Sequence, residues 1–303
     1  MKKVLSFGLK LFVSGVLLYV FISRVDINAV IETIKQTKVP LFIAAFFIYF
    51  NAMFISTKRW SLFLPQRIKY FKLFSLYLIG SFFNTLLPGL VGGDAVKAFY
   101  LYRHIGKGGA SLATVFMDRY MGLMAMAGIA IIGFIAGYAY IKDTEIVWII
   151  PVFMVSLFFA SLILWRLNWG RIKFLSAFYI PLMEYKTRKG IIYKGLLLGF
   201  VVQIIGIISV FVLSLSIGFT VPIIYFFIFI PVISAASAVP VSIAGLGIRE
   251  AAFVILFTKA GVPSEKALSL SVLVFISMCL VSLIGGIEYL RVGKPEKITD
   301  EHR

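Results

Sequence analysis

The sequence predicts an all-α integral membrane protein with six full transmembrane helices and two re-entrant helical hairpins arranged as an inverted repeat. Three observations carry that reading. Of 303 residues, 61% are hydrophobic and 14% charged, and mean hydropathy is +1.00. A soluble domain carries about 25% charged residues, so this chain lacks the polar surface to cover itself in water. Several apolar runs reach the roughly 20 residues that a bilayer span needs. Two further apolar regions are each broken midway by proline and glycine.

The first expected span, Val4–Ser23, follows Met1-Lys2-Lys3 as a signal peptide would. It has no small-x-small site before Arg24, so it reads as an uncleaved span. Further spans are expected at Val39–Thr57, Ala110–Tyr140, Ile146–Trp165, Gly195–Ile217 and Ala267–Leu290. Each is helical because lipid offers backbone groups no other partner. The broken regions cover about 71–103 and 222–258. The first contains Pro88, Gly92 and Gly93; the second contains Pro240, Gly245 and Gly247. Proline removes a donor and glycine weakens a helix, so each region should be helix, break, helix.

Charge fixes the expected topology. With a cytoplasmic N-terminus and two hairpins that return to their side of entry, twenty of the 30 basic residues fall in cytoplasmic segments. They form clusters at Lys2–Lys3, 58–72, Arg103–Lys107, 166–194 and 291–303. Six lie outside: Arg24, Lys35, Lys38, Lys142, Lys259 and Lys266. If the first broken region crossed the membrane, the basic 166–194 loop would face outward, against the positive-inside rule. Both termini are therefore expected in the cytoplasm, with residues 293–303 a short cytoplasmic tail. The unit span–hairpin–span then occurs twice in opposite orientations. Gly93 and Gly245 lie five residues after Pro88 and Pro240, and Lys97 and Arg249 lie nine after. Interrupted segments at matching places in two halves point to a transporter's binding site.

The net charge of +17 does not indicate nucleic acid, because the basic residues occupy short loops where they face anionic lipid. Cys279 alone makes no disulfide, and two histidines, His104 and His302, leave zinc or triad chemistry without parts. No cofactor, metal or catalytic residue is expected. The aromatic residues read as lipid-facing packing and interfacial belt.

Four basic residues lie inside apolar segments: Lys10, Lys97, Arg119 and Arg249. Lys10 can snorkel to the surface. Asp94, Asp118 and Glu250 accompany the other three. A charge at mid-bilayer costs about 2.5–3.5 kcal/mol on insertion, so these residues should pair or line a wet cavity. Asp94 reads either as an N-cap or as a site residue, and Lys97 three positions on can neighbour it. Adjacent Asp118 and Arg119 face different sides of a helix, so each seeks a partner elsewhere, as a structural pair or at a headgroup. Arg249 and Glu250 open a helix, whose N-terminus attracts anions.

The run Phe83-Asn84-Thr85-Leu86-Leu87-Pro88-Gly89, Gly92-Gly93-Asp94-Ala95-Val96-Lys97, Asp118-Arg119 and Pro240 through Gly247-Ile248-Arg249-Glu250-Ala251 resembles the lysylphosphatidylglycerol synthase transmembrane, or flippase-like, family. That family includes the membrane half of the bacterial multiple peptide resistance factor. The resemblance covers nearly the whole chain and implies a single flippase-like domain over residues 1–292 in the cytoplasmic membrane. It also implies movement of anionic or aminoacylated phospholipid, or a lipid-linked substrate, between leaflets. Lys97, Arg249, Arg119, Asp94, Glu250, Asp118 and Asn84 are then the expected substrate-binding residues. The aminoacyltransferase domain of the resistance factor is not matched, so synthase activity is not implied. Lys97 stands where the family commonly has arginine. Two rival readings are a membrane transferase acting on a lipid phosphate or polyprenyl-linked sugar, with Asp94, Asp118 or Glu250 as base, and a non-transporting scaffold. The expected partners are an anionic lipid and, beyond it, a second copy of the chain or a lipid-modifying enzyme.

Overall fold

The computed structural model describes residues 27–86, 92–148, 173–185, 187–238 and 246–292, with isolated positions between 151 and 166. Among them all regular structure is helical. In chain order the helices are α1 (Ile27–Lys35), α2 (Val39–Ser61), α3 (Tyr70–Leu86), α4 (Gly92–Ile105), α5 (Gly108–Ala136) and the single turn α6 (Tyr138–Ile141). A 3₁₀ turn at Glu145–Trp148 follows, then α7 (Lys173–Glu184), α8 (Lys189–Ser216), α9 (Ile223–Ala238), α10 (Ile248–Lys259) and α11 (Ser264–Val292).

Four of the six expected spans appear as α2, α5, α8 and α11, each long and apolar enough to cross a membrane. At about 1.5 Å per residue they run roughly 35–44 Å, longer than a hydrocarbon core of about 30 Å. Val4–Ser23, Lys10 and the tail 293–303 lie outside the described residues, as does Ile146–Trp165 apart from its first turn and scattered positions. Pro40 sits in the first turn of α2, where its missing N–H costs nothing. The two broken regions are helix pairs as expected, α3 with α4 and α9 with α10, and each pair's members pack together. Pro88, Pro240 and Gly245 lie outside the described residues. Tight turns join α4 to α5 at Gly106 (φ 70°) and α10 to α11 at Gly261 (φ 81°), a left-handed conformation that a side chain would strain.

Packing crosses between the two halves. Helix α2 lies along α8; α3, the first arm of one pair, packs on α11, and α9, the first arm of the other, packs on α5. Glycine makes both crossings possible. A Cβ on Gly285 of α11 would stand 2.1 Å from the Leu78 carbonyl oxygen of α3, and one on Gly133 of α5 would stand 2.7 Å from the Phe227 carbonyl oxygen of α9. Small residues let helix backbones approach where lipid gives no hydrophobic drive to associate. Gly285 follows Gly133 by the same spacing that separates Arg249 from Lys97. Half of the spanning window of α11 and 44% of that of α5 are buried, against 17% for α2 and 22% for α8. Helices α5 and α11 therefore form the interior, while α2 and α8 lie at the periphery with most of their spanning windows unburied.

Substituting Gly285 by Ala should lower stability by about 1–3 kcal/mol, because backbone must shift to admit the methyl. Gly206 of α8 has nothing within 4 Å of a built Cβ. Gly206→Ala should therefore be neutral or gain up to about 1 kcal/mol from helix propensity. Thermal unfolding of the two variants in one detergent compares them directly.

Candidate functional site

Helices α2, α4 and α5 bring five charges together. Asp118 of α5 is 0% exposed, and its Oδ1 accepts a hydrogen bond from Nε of Arg59 on α2 at 2.8 Å. Arg59 is itself buried. The ammonium of Lys97 on α4 lies 3.6 Å from Asp118 Oδ2 and 3.7 Å from Asp94 Oδ1. Asp94 Oδ2 accepts from Arg119 Nε at 2.6 Å. Trp60 and Tyr77 complete the box: Lys97 Nζ stands 4.7 Å from one ring centre and 4.1 Å from the other. An ammonium over an aromatic face is attracted by the ring quadrupole, which offsets part of the cost of burying it. Trp60 is in turn fixed by its indole N–H, which donates to Thr114 Oγ1 at 3.2 Å.

Local sequence explains why these side chains meet. Asp94 and Lys97 are one turn apart on α4, and Asp118 and Arg119 leave α5 on different faces, so one carboxylate turns inward and one guanidinium outward. Gly93 lets α4 begin directly against α3. A Cβ there would lie 1.9 Å from the Gly80 carbonyl oxygen, and one on Gly80 would meet Lys97 Cδ at 2.5 Å. The Gly93 N–H donates to Asn84 Oδ1 at 2.9 Å, which ties the end of α3 to the start of α4. The first turn of α4 thus has one seat on α3. From Lys97 to the end of α4, and from the start of α5 to Asp118, the chain rises roughly 12–15 Å at 1.5 Å per residue, so the cluster lies well inside the bundle.

Beside the cluster is a cavity of about 180 Å³ lined by Lys97, Arg119, Asn84 and other residues of α2, α3 and α11. A polar cavity needs only about 10–15 Å³ to hold a water, so this one has room for several beside the polar groups of Lys97, Arg119 and Asn84. The Arg119 side chain is 45% accessible, and its open surface faces this space. Three cations, Arg59, Lys97 and Arg119, face two carboxylates, Asp94 and Asp118, which leaves one net positive charge beside the cavity.

The second break forms a smaller pair. Gly247 (φ 86°) precedes α10, and its N–H donates to Glu250 Oε2 at 2.6 Å, one half of a capping box. Glu250 Oε1 accepts from both Nε and a terminal nitrogen of Arg249. The guanidinium also stacks 4.7 Å from the Phe275 ring centre and reaches Met278 Sδ. Phe275 and Met278 line the cavity, so Arg249 packs behind that wall.

The expected site residues therefore divide. Lys97, Arg119 and Asn84 share the cavity, Asp94 and Asp118 flank Lys97, and Arg249 with Glu250 forms a separate buried pair. Arg59 corrects the sequence reading: counted there with the basic loop after α2, it is buried in the last turn of that helix. The aromatic residues also need correction in part, because Trp60 and Tyr77 hold a cation rather than face lipid. Adjacent Lys58 is exposed while Arg59 is not, and the demand of Asp118 for a partner was the available signal. Among the described residues no group of three histidine, cysteine or acidic side chains is placed to hold a metal.

A family model described as the lysylphosphatidylglycerol synthase TM region matches residues 8–286, and the chain belongs to that family. No curated protein and no solved structure matches the chain.

Removing one member of the Arg59–Asp118 pair leaves the other charge buried. Asp118→Ala should cost about 3–5 kcal/mol, while the double change Arg59→Met with Asp118→Leu should cost markedly less. Unfolding of the single and double variants under one condition measures the difference.

Proposed function

We propose that this member of the lysylphosphatidylglycerol synthase transmembrane family is a lipid translocator that carries an anionic phospholipid headgroup, or an aminoacylated or lipid-linked relative, between leaflets. The observation that carries the reading is the cavity beside a net positive cluster, inside a bundle of apolar spanning helices. A headgroup phosphate enters the cavity on Arg119 and Lys97, with Asn84 beside it, while the acyl tails stay in lipid. Arginine offers phosphate a planar fork and lysine a point charge.

The exchange of first arms between halves supports an inverted repeat, as do the equivalent glycine contacts of Gly133 and Gly285. In that architecture the pairs α3–α4 and α9–α10 are re-entrant hairpins, and rocking of one half on the other alternates access. With the two spans expected at Val4–Ser23 and Ile146–Trp165, the chain crosses the cytoplasmic membrane six times and keeps both termini inside. Arg249 stands behind the wall of this site: its guanidinium is engaged by Glu250 and becomes available only if Phe275 and Met278 move.

Reconstituted into liposomes, the protein should move fluorescent phosphatidylglycerol between leaflets. Arg119→Gln should lower the rate at least tenfold with little loss of thermal stability, because Arg119 is the most accessible charge of the cluster. Arg119→Lys should recover part of the rate, since the fork is lost and the charge kept. Chemical conversion of the lipid without exchange would favour a transferase, and neither outcome would leave a scaffold. The topology is checked separately in a Cys279→Ser background. Single cysteines replacing Ile105 and Ile180 should label from the cytoplasmic side and one replacing the exposed Lys259 from the outside. Outward labelling at 180 would overturn the six-span arrangement.

A further inference from the structure

We infer that Asp94 is an internal anion that occupies the cation pair of the cavity until a lipid phosphate displaces it. The inference rests on the headgroup site proposed above and adds a residue that sets its selectivity. Asp94 has the geometry of a bound ligand. One carboxylate oxygen receives Arg119 Nε at 2.6 Å, and the other faces Lys97 Nζ at 3.7 Å. These two cations line the cavity. A phosphodiester presents two non-bridging oxygens in the same way and competes for the same donors.

The other carboxylate of the cluster has a different role. Asp118 is fully buried, bonded to Arg59, and 3.6 Å from Lys97. When Asp94 leaves, Lys97 keeps Asp118 as a counter-ion, and Arg119 is the group that needs a new one. Asp94 is the looser of the two: its side chain is 16% accessible against 1% for Asp118, although each carboxylate has one oxygen that accepts no hydrogen bond from the described residues. Displacement is therefore an exchange of anions on Arg119 rather than the creation of a bare charge. A headgroup without a phosphate gains nothing by entering, because it cannot replace the carboxylate.

The exchange also has a mechanical consequence. Asp94 belongs to the first turn of α4, which Gly93 seats against the Gly80 backbone and Asn84 ties to α3. Releasing Asp94 therefore removes the Arg119 tether between α4 and α5 and leaves Lys97–Asp118 as the ion pair about which α3 and α4 can shift. Headgroup arrival and movement of the helix pair are coupled through one carboxylate.

The test uses the full chain in detergent, titrated calorimetrically with dihexanoyl phosphatidylglycerol and, in parallel, with inorganic phosphate. Asp94→Asn keeps the shape and removes the charge; it should bind the short-chain lipid at least tenfold more tightly than wild type while leaflet exchange falls. Arg119→Gln should weaken binding in both backgrounds. If Arg119→Gln leaves binding unchanged, the headgroup site itself is wrong. If Arg119→Gln weakens binding and Asp94→Asn does not tighten it, the site stands and the role of Asp94 is overturned. A gain confined to inorganic phosphate overturns the inference for lipid. Should Asp94→Asn fail to fold, the wild-type protein labelled with carboxyl-¹³C aspartate supplies the readout. Saturating lipid should shift an aspartate carboxylate band in the infrared difference spectrum, and an unchanged spectrum overturns the proposal.

Discussion

An ionised side chain inside a bilayer must find a counter-charge or water, and this requirement organises the interior of the protein. The cluster on α2, α4 and α5 satisfies it with alternating charges, Arg59, Asp118, Lys97, Asp94 and Arg119, so that each is within reach of an opposite one. Because the members come from three helices, the pairs also fix how those helices approach. The aromatic box of Trp60 and Tyr77 supplies what an alternating row cannot: a favourable surface for the central ammonium on sides where no carboxylate stands.

Close backbone packing is the second requirement, and it serves the first. Charged side chains held at 2.6–3.7 Å need helices that do not drift. Glycine provides the registration, since Gly80 and Gly93 set α4 on α3, Gly133 sets α5 against α9, and Gly285 sets α11 against α3. Each contact is made to a carbonyl oxygen or a neighbouring side chain at a separation that admits no larger residue. Dispersion between such surfaces is what holds helices together in lipid, where burying apolar area gains nothing. The phenylalanines fill the remaining space, as where Phe253 and Phe257 stack within the core of the second half.

Much of this was legible in the sequence because its signals are local. Proline and glycine in the middle of apolar runs locate the breaks, and both pairs of helices form where those residues predict. Three-residue spacing places Asp94 by Lys97, and adjacency separates Asp118 from Arg119. Arg59 was not legible, because an arginine beside Lys58 at the end of an apolar run has the composition of a loop. Only the 100° turn between neighbours on a helix sends one to the surface and the other to Asp118. The pairing of Arg249 with Glu250 was among the outcomes the sequence allowed, but its geometry was not legible. Adjacent side chains on a helix do not ordinarily meet, and here they do because Glu250 turns back to cap Gly247 and brings its carboxylate beneath the guanidinium.

Magnitudes separate the structural pair from the exchangeable one. Arg59 and Asp118 are both nearly inaccessible, at 5% and 0%, so breaking their pair strands a charge and costs about 3–5 kcal/mol. No headgroup repays that without reaching a position closed to it. Arg119 is 45% accessible, so an entering group can reach it, and its pairing with Asp94 is a charge-assisted hydrogen bond open to exchange. A charge-assisted hydrogen bond from arginine to phosphate is of comparable or greater strength, about 1.5–3 kcal/mol. An entering phosphate can therefore replace Asp94 on Arg119 at little net cost and cannot replace Asp118 on Arg59. The same charges thus divide into a fixed frame and a movable contact, according to how accessible each of them is.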